Sequence, residues 1–79
     1  MTRVVCPAGQ WTDVPGQPGN MLLEARHHGV YVDTGGGKPA DPTETFALTD
    51  GMSRIIAEGV TVAVWPISNK ETEVFVQVT

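Results

Sequence analysis

The sequence predicts a small all-β protein, folded as an antiparallel β-sandwich or barrel with short strands and a long Gly/Pro loop. Two stretches carry the clearest pattern, VTVAVW at positions 60–65 and TEVFVQV at positions 72–78, in which valine alternates with other residues. A period of two places alternate side chains on opposite faces of a strand. Gly, Pro, Asn and Asp interrupt the chain at roughly the 8–12-residue spacing that is typical of sandwiches and small barrels.

The last two strands are the best defined. The first is expected to stop at Pro66, and the polar PISNKE segment at positions 66–71 predicts a hairpin turn that pairs it with the second. We therefore expect both strands to turn a valine face toward the core. These faces comprise Val60, Val62 and Val64 in the first strand and Val74, Val76 and Val78 in the second.

The earlier strands are shorter. TRVVC ends before Pro7 and QWTDV ends before Pro15, and VYVD and TFAL follow further along the chain. NMLLEARHH, positions 20–28, contains good helix formers, but we favour a strand because about nine residues are few for an isolated helix. MSRIIAE, positions 52–58, fits either a strand or a two-turn helix.

The length of the chain predicts a single β domain, residues 1–79, with a thin core. Domains of this size usually gain stability from disulfides, a metal or a partner subunit. Cys6 is the one cysteine, so no internal disulfide is possible, and we expect it to be a buried thiol. We therefore expect a homo-oligomer, either a dimer or a trimer.

The charge of the chain bears on its partners. The formal net charge is −4 and the pI is about 4.8, which argues against nucleic acid as a partner. No apolar run approaches the ~20 residues that span a bilayer, and the N-terminal stretch lacks the apolar core of a signal peptide. The sequence predicts no membrane partner and residence in a cytoplasm or in a particle assembled there.

Three consecutive glycines and a lysine, GGGKP at positions 35–39, resemble part of a phosphate loop. That motif needs GxxxxGK followed by Ser or Thr and a helix, whereas Pro39 removes a backbone donor and disfavours helical backbone at Lys38. We expect a flexible exposed loop between strands, in which glycine allows close approach of the backbone to a neighbour. The candidate partner contacts in it are Gly35, Gly36, Gly37 and Lys38.

No other motif predicts catalysis, a cofactor or a metal. His27 and His28 are adjacent, and adjacent residues of a strand point to opposite faces and do not readily share one metal. A nucleophile elbow, GxSxG, is absent from the sequence. We expect no enzyme. Four acidic residues fall in one loop-rich region without the spacing of a calcium loop: Asp33, Asp41, Glu44 and Asp50.

The aromatic residues divide between fold and partner contact. Trp65 and Phe75 lie opposite the valine faces of their strands, which fits either a minor core or a partner-contacting patch. Phe75 is expected to project from the last hairpin, with Trp65 near it. Trp11 and Tyr31 are expected mainly to serve the fold, although Tyr31 is also a candidate contact residue.

The order of motifs resembles that of small β-structured virion proteins of tailed bacteriophages. The resemblance rests on QWTDVPG, GNMLLEAR, GVYVDTGGGKPADPTETFALTDG, EGVTVAVWPIS and the terminal EVFVQVT, which together cover nearly the whole chain. In that group a "VYV" strand leads into a Gly/Pro loop, and a "VxVW" strand and a valine-rich end close the chain. These motifs consist mostly of turn and core residues.

The resemblance implies a structural virion component. The first expectation is a head decoration protein that docks on the major capsid protein or another virion protein and stabilises the shell. A tail or fibre-attachment module is the nearest alternative, and the expected location in either case is the virion. A glycan-binding module is the alternative from another class, because Trp65 or Tyr31 could stack on a sugar ring.

Overall fold

The computed structural model of the chain describes residues 2–79. These residues form eight β-strands and one short 3-10 helix, Pro42–Glu44, which lies between the fourth and fifth strands. Residues 2–79 contain no helix with the length and apolar character of a membrane span. The strands are β1 (Thr2–Cys6), β2 (Thr12–Val14), β3 (Met21–Ala25), β4 (Val30–Asp33), β5 (Phe46–Leu48), β6 (Ser53–Ile56), β7 (Val62–Pro66) and β8 (Thr72–Val78).

The strands form two four-stranded antiparallel sheets packed face to face, which confirms the all-β prediction and selects the sandwich over the barrel. Sheet A has the order β1-β8-β3-β6, and sheet B has the order β2-β7-β4-β5. Only β4 and β5 are consecutive in the chain and also paired in one sheet. Every other connection crosses from one sheet to the other.

The core lies between the two inner faces and is rich in valine. Alternate residues of the central strands point inward and are almost fully buried, and burial of each such side chain contributes about 1.5–3 kcal/mol. The largest fully buried aliphatic side chains are Leu23, Val30, Val32, Val62, Val64, Val74 and Val76.

The structure settles most local predictions. The segment at 20–28 forms β3, as favoured, but the strand ends at Ala25, so His27 and His28 lie in a turn and not in the strand that was expected. Residues 53–56 form β6, which decides between the two alternatives for that segment. At the C-terminus the buried stripe ends at Val76, because Val78 is 46% exposed.

The predicted hairpin between the last two strands is wrong. β7 pairs with β2 and β4 in sheet B, and β8 pairs with β1 and β3 in sheet A. Residues 67–71 therefore cross the sandwich, and five residues reach roughly 16 Å, more than the ~10 Å between packed sheets. Both strands bury every second residue in the same core, one from each side. Their alternation of buried and outward residues is therefore the same as in a hairpin, and it does not distinguish the two arrangements.

The start of β7 differs from the strand predicted at positions 60–65. The strand begins at Val62, and Val60 precedes it as a half-buried residue that packs against the core. Pro66 is the last residue of the strand, as predicted. At that position Pro66 lies opposite Val30 of β4. The pairing of β2 with β7 stops at Thr12, opposite Val64, so the proline, which has no N–H, removes no hydrogen bond between β7 and β2.

The turn between β3 and β4 depends on Gly29. Its φ is +81°, a conformation that favours glycine, and a Cβ built there would lie 2.5 Å from the carbonyl oxygen of Leu48 and 2.8 Å from Cα of Thr49. Its own carbonyl accepts a hydrogen bond from the N–H of Ile67. Gly29 thus joins the turn to β5 and to the start of the crossing segment.

We expect Gly29→Ala to destabilise the protein by about 1–2 kcal/mol from the left-handed backbone and by a further 1–3 kcal/mol from the backbone clash, about 2–5 kcal/mol in all. Gly59→Ala is the matched control, because Gly59 has φ +86° with nothing within 4 Å of its added Cβ. Urea unfolding of both variants measures the difference. Equal losses would contradict a steric role for Gly29.

Cys6 is fully buried at the end of β1, as predicted. Burial raises the pKa of its thiol from the ordinary 9.0 to about 11. The folded state therefore keeps the proton at pH values where the unfolded chain releases it.

This pKa predicts a loss of stability in alkali. Above pH 9 the unfolded state gains by ionising Cys6, so the free energy of unfolding should fall as the pH rises from about 9 to about 11. Urea unfolding of the wild type and of Cys6→Ala across this range measures the contribution of the thiol, since other groups titrate in both proteins. Parallel profiles would contradict it.

Candidate functional site

The outer face of sheet B carries most of the residues that the sequence singled out. Trp65 of β7 lies directly opposite Tyr31 of β4. Ala63, two residues before Trp65, lies between Asp13 of β2 and Asp33 of β4. Cross-strand partners project from the same face, so these five side chains share one surface.

Three aromatic residues, Trp11, Tyr31 and Trp65, form an aromatic cluster on this face. The rings of Trp11 and Trp65 meet edge to face, with centroids 5.5 Å apart and planes at 77°, which is a favourable geometry for an aromatic pair. The indole N–H of Trp11 donates to the carbonyl oxygen of Pro39 at 3.0 Å. The cluster therefore joins the start of β2, the centre of the sheet and the glycine-containing segment.

A buried carboxylate shapes the segment that follows β4. Asp33 is 8% exposed and accepts hydrogen bonds from the backbone N–H groups of Gly35, at 3.3 Å, and Lys38, at 2.9 Å. Lys38 has φ +44°, a left-handed conformation that is uncommon outside glycine. The two bonds to Asp33 hold the chain in this tight return.

Lys38 also reaches across the sheet. Its Nζ lies 2.7 Å from Oδ1 of Asp13, while its backbone is bonded to Asp33 on the other side of Ala63. The aliphatic stem therefore passes over Ala63, which is 2% exposed although it points away from the core. The ion pair itself is solvated and contributes at most about 1 kcal/mol.

This geometry bears on the phosphate-loop resemblance. The N–H groups of Gly35 and Lys38 donate to the carboxylate of Asp33. In a phosphate-binding loop, backbone N–H groups of this kind would donate to the phosphate instead. Asp41, further along, accepts hydrogen bonds from the hydroxyl and the backbone N–H of Thr43 at the start of the 3-10 helix. These bonds, the one from the hydroxyl above all, lower the pKa of Asp41. The chain's own carboxylates thus occupy these donors.

The outer face of sheet A is built differently. Phe75 of β8 lies between Arg3 of β1 and Glu24 of β3, and the guanidinium of Arg26 lies 5.0 Å from the centre of its ring. Arg26 also contacts Glu24 at 2.8 Å. The Phe75 ring is therefore half-buried beneath charged side chains.

Glu73 completes this charged region. It contacts both Arg3 and His27, the latter at 3.3 Å. The hydrogen bond from Arg3 is the main cause that lowers the pKa of Glu73. The carboxylate is therefore held ionised against two basic side chains on the surface.

The apolar residues of this face lie at its two sides. Ile55 of the edge strand β6 is 62% exposed and lies opposite Leu22 of β3. Val5 of β1, the other edge strand, is also exposed. We call Val5, Leu22 and Ile55, with Phe75 between them, the apolar side chains of sheet A.

The structure separates the predicted contact residues into two groups. Trp65, Tyr31 and the Gly35–Lys38 segment lie together at sheet B, and Phe75 lies on the outer face of sheet A. The expectation that Trp65 lies near Phe75 is wrong, because β7 and β8 belong to different sheets whose outer faces point in opposite directions. Their roles as partner contacts stay predictions.

Several residues of these surfaces were not anticipated. The alternation in QWTDV places Trp11 and Asp13 on the same face, opposite the buried Val14, so the sequence did contain a signal for these two residues. Asp33 lies two positions before Gly35, which is the spacing of an Asx-turn and a local signal for the first bond, whereas nothing local marks Asp33 as the acceptor for Lys38. Ile55 was missed because its segment was ambiguous between strand and helix.

Other regions of the described residues have few groups that could bind a metal or act on a ligand. Among residues 2–79 no group of three or more His, Cys, Asp or Glu side chains is arranged to hold a metal ion. An open cleft of about 350 Å³ lies at one end of the sandwich, between residues 14–21 and residues 57–61. Glu58 is the one titratable residue in its lining.

Comparisons with known proteins add no relative to this picture. No family model, curated protein or solved structure matches this chain. The two outer faces of the sandwich are therefore the structural basis for a functional hypothesis.

We expect Asp33→Ala to lower the free energy of unfolding by about 1–3 kcal/mol, because two backbone donors lose a buried acceptor. Hydrogen exchange at the Gly35 and Lys38 amides should become faster. Asp33→Asn, which keeps one acceptor oxygen, should have a smaller effect.

Asp41→Ala is the control for this experiment. It removes an exposed acceptor from the same connection between β4 and β5 and should leave exchange at Gly35 and Lys38 unchanged. Unchanged exchange in Asp33→Ala would show that the carboxylate does not hold the segment.

Proposed function

We propose that this protein is a structural component of a tailed-bacteriophage virion, specifically a decoration protein that docks as a homo-oligomer on the major capsid protein of the head. Two observations support the proposal. The motif order along the chain resembles that of small β-structured virion proteins, and the fold is a short-stranded sandwich of the kind that resemblance implies.

We assign docking to the outer face of sheet A. The observation that carries this assignment is the exposure of Ile55, a large aliphatic side chain that projects from a strand beside Leu22. An apolar contact within a rim of charged residues such as Arg3 and Glu73 is a common composition for a protein interface. The backbone of a strand is already ordered before binding, so docking through this face loses less conformational entropy than docking through a flexible loop.

The outward side chain of β6 offers a contact for a second copy. β6 pairs with β3 on one side, and its Arg54 turns inward, with the guanidinium 4.3 Å from the centre of the Phe46 ring. A short edge strand with an inward charge is protected against pairing with another strand, so we assign the contact between copies to the exposed Ile55 and not to the backbone of β6. Association would supplement a core that is thin for a chain without a disulfide.

The proposed mechanism is mass action on a repeated lattice. A protein that binds only the assembled shell stabilises it by RT ln(1 + [L]/Kd) at each site. Because a shell presents many equivalent sites, a modest affinity at each one adds up over the particle. The sandwich needs no chemical step for this function.

We expect Ile55→Glu to weaken binding to shells by about 30-fold or more, which corresponds to the ~2 kcal/mol of an interface hot spot. The experiment first identifies the coat protein from the genes beside the coding sequence, then assembles shells from it and mixes them with the purified protein. Co-sedimentation measures the affinity, and sedimentation of the free protein measures its self-association.

Ala47→Glu is the matched control. It introduces the same charge at an exposed position on the outer face of sheet B, opposite Tyr31, and should leave shell binding unchanged. Failure of the wild type to co-sediment with shells would refute the decoration role. Binding to purified tails instead would favour the attachment alternative.

A further inference from the structure

We propose that the outer face of sheet B is a binding site for β-linked hexopyranose saccharides, with the aromatic cluster as its floor and wall. This inference does not depend on the decoration role. It rests on a different surface, on the opposite side of the sandwich from the apolar side chains of sheet A.

The ring geometry suits a flat ligand of about one sugar in width. Tyr31 and Trp65 are cross-strand partners, so their Cβ atoms are separated by roughly 5 Å. Trp11 stands nearly perpendicular to Trp65, at 77°. The rings therefore form a corner, with one aromatic surface to stack on and a second along its side, and all three are partly exposed.

Polar groups lie around the rings and can bind hydroxyls. Tyr31 and Trp65 are both partly exposed, and neither the Tyr31 hydroxyl nor the Trp65 indole N–H is among the buried unpaired atoms of residues 2–79, which are Thr12 Oγ1 and Arg26 Nε. Asp13, whose side chain is 68% exposed, presents a carboxylate beside the rings. A few polar groups around an apolar surface are typical of small-molecule sites.

The composition of the surface favours a saccharide over other ligands. Phosphate-bearing ligands would meet the carboxylates of Asp13 and Asp33 in a chain of net charge −4. A peptide that binds by adding a strand needs a free strand edge, whereas these rings lie on a sheet face over the central strand β7. A pyranose ring offers an apolar face of C–H groups for the aromatic rings and equatorial hydroxyls for the rim, and a β-1,4-linked chain such as cellotriose is straight enough to lie along a sheet face, whereas an α-1,4-linked chain curves away from it.

The site is also preorganised. The bond from Trp11 to Pro39 and the two bonds from the 34–38 backbone to Asp33 fix the segment that borders the rings. Lys38, bonded to Asp13, holds that carboxylate at the edge. A ligand therefore binds without first ordering a loop, which would otherwise weaken the affinity.

The test titrates the purified full chain with cellotriose and with β-1,4-galactotriose, with α-linked maltotriose as the comparison. Amide shifts and tryptophan fluorescence report binding. We expect saturable changes at Tyr31, Lys38 and Trp65 with at least one β-linked sugar and a Kd of about 1 mM, as for a single small site. Maltotriose should bind at least tenfold more weakly.

Variants then assign the contacts. Trp65→Ala should abolish binding, and Tyr31→Phe, which keeps the ring, should weaken it about threefold to tenfold. Phe75→Ala on sheet A is the control and should bind as the wild type does. Because Trp65→Ala removes a large side chain, Trp65→Phe is measured beside it, with a thermal melt of each variant, and should weaken binding while the fold is kept.

Three results would overturn the proposal. The first is the absence of any saturable shift at Tyr31 or Trp65 with both β-linked sugars at about 10 mM, roughly ten times the expected Kd. The second is equal affinity for maltotriose, which would contradict the preference for a β-linked chain. The third is unchanged affinity in folded Tyr31→Phe and Trp65→Phe.

Discussion

The packing of two valine-rich sheet faces against each other is the interaction on which the rest of this protein depends. The chain has 79 residues and one cysteine, so burial between the sheets is the main source of stability that the sequence offers. The central strands of both sheets, β7 and β4 on one side and β8 and β3 on the other, contribute its fully buried side chains except Cys6 of the edge strand β1. The remaining strands flank these four and complete the two sheets.

Because one set of side chains fills the space between the sheets, the alternate set must face outward, and the two outer faces differ. Sheet B is partly closed by its own chain, since Lys38 passes over Ala63 and Trp11 holds Pro39. Sheet A differs. Its aromatic residue, Phe75, lies under Arg26, and its aliphatic residues remain exposed at the sides. This asymmetry is why we assign a different kind of partner to each face.

Asp33 connects the fold to the candidate site. A buried carboxylate is unfavourable unless its oxygens accept hydrogen bonds, and the Gly35 and Lys38 N–H groups supply them. The sequence predicted the Gly35–Lys38 segment and Tyr31 and Trp65 as candidate contacts, and the structure brings them to one face. It did not predict that the segment returns over the sheet, because the partners of that return are separated in sequence: Asp13 lies 25 positions before Lys38.

The alternation of valines by itself determined which side chains of the last strands are buried: Val62 and Val64 in one strand, and Val74 and Val76 in the other. That result is local, because a period of two follows from the geometry of a single strand. Only the tertiary structure decided which sheet each strand joins. Two strands in opposite sheets show the same alternation of buried and outward residues as two strands of one hairpin. Residues 67–71 are long enough for either connection. Pairing with β2 and β4 placed Trp65 beside Tyr31 and Trp11, on the opposite side of the sandwich from Phe75, because strand partners are chosen by contacts distant in sequence.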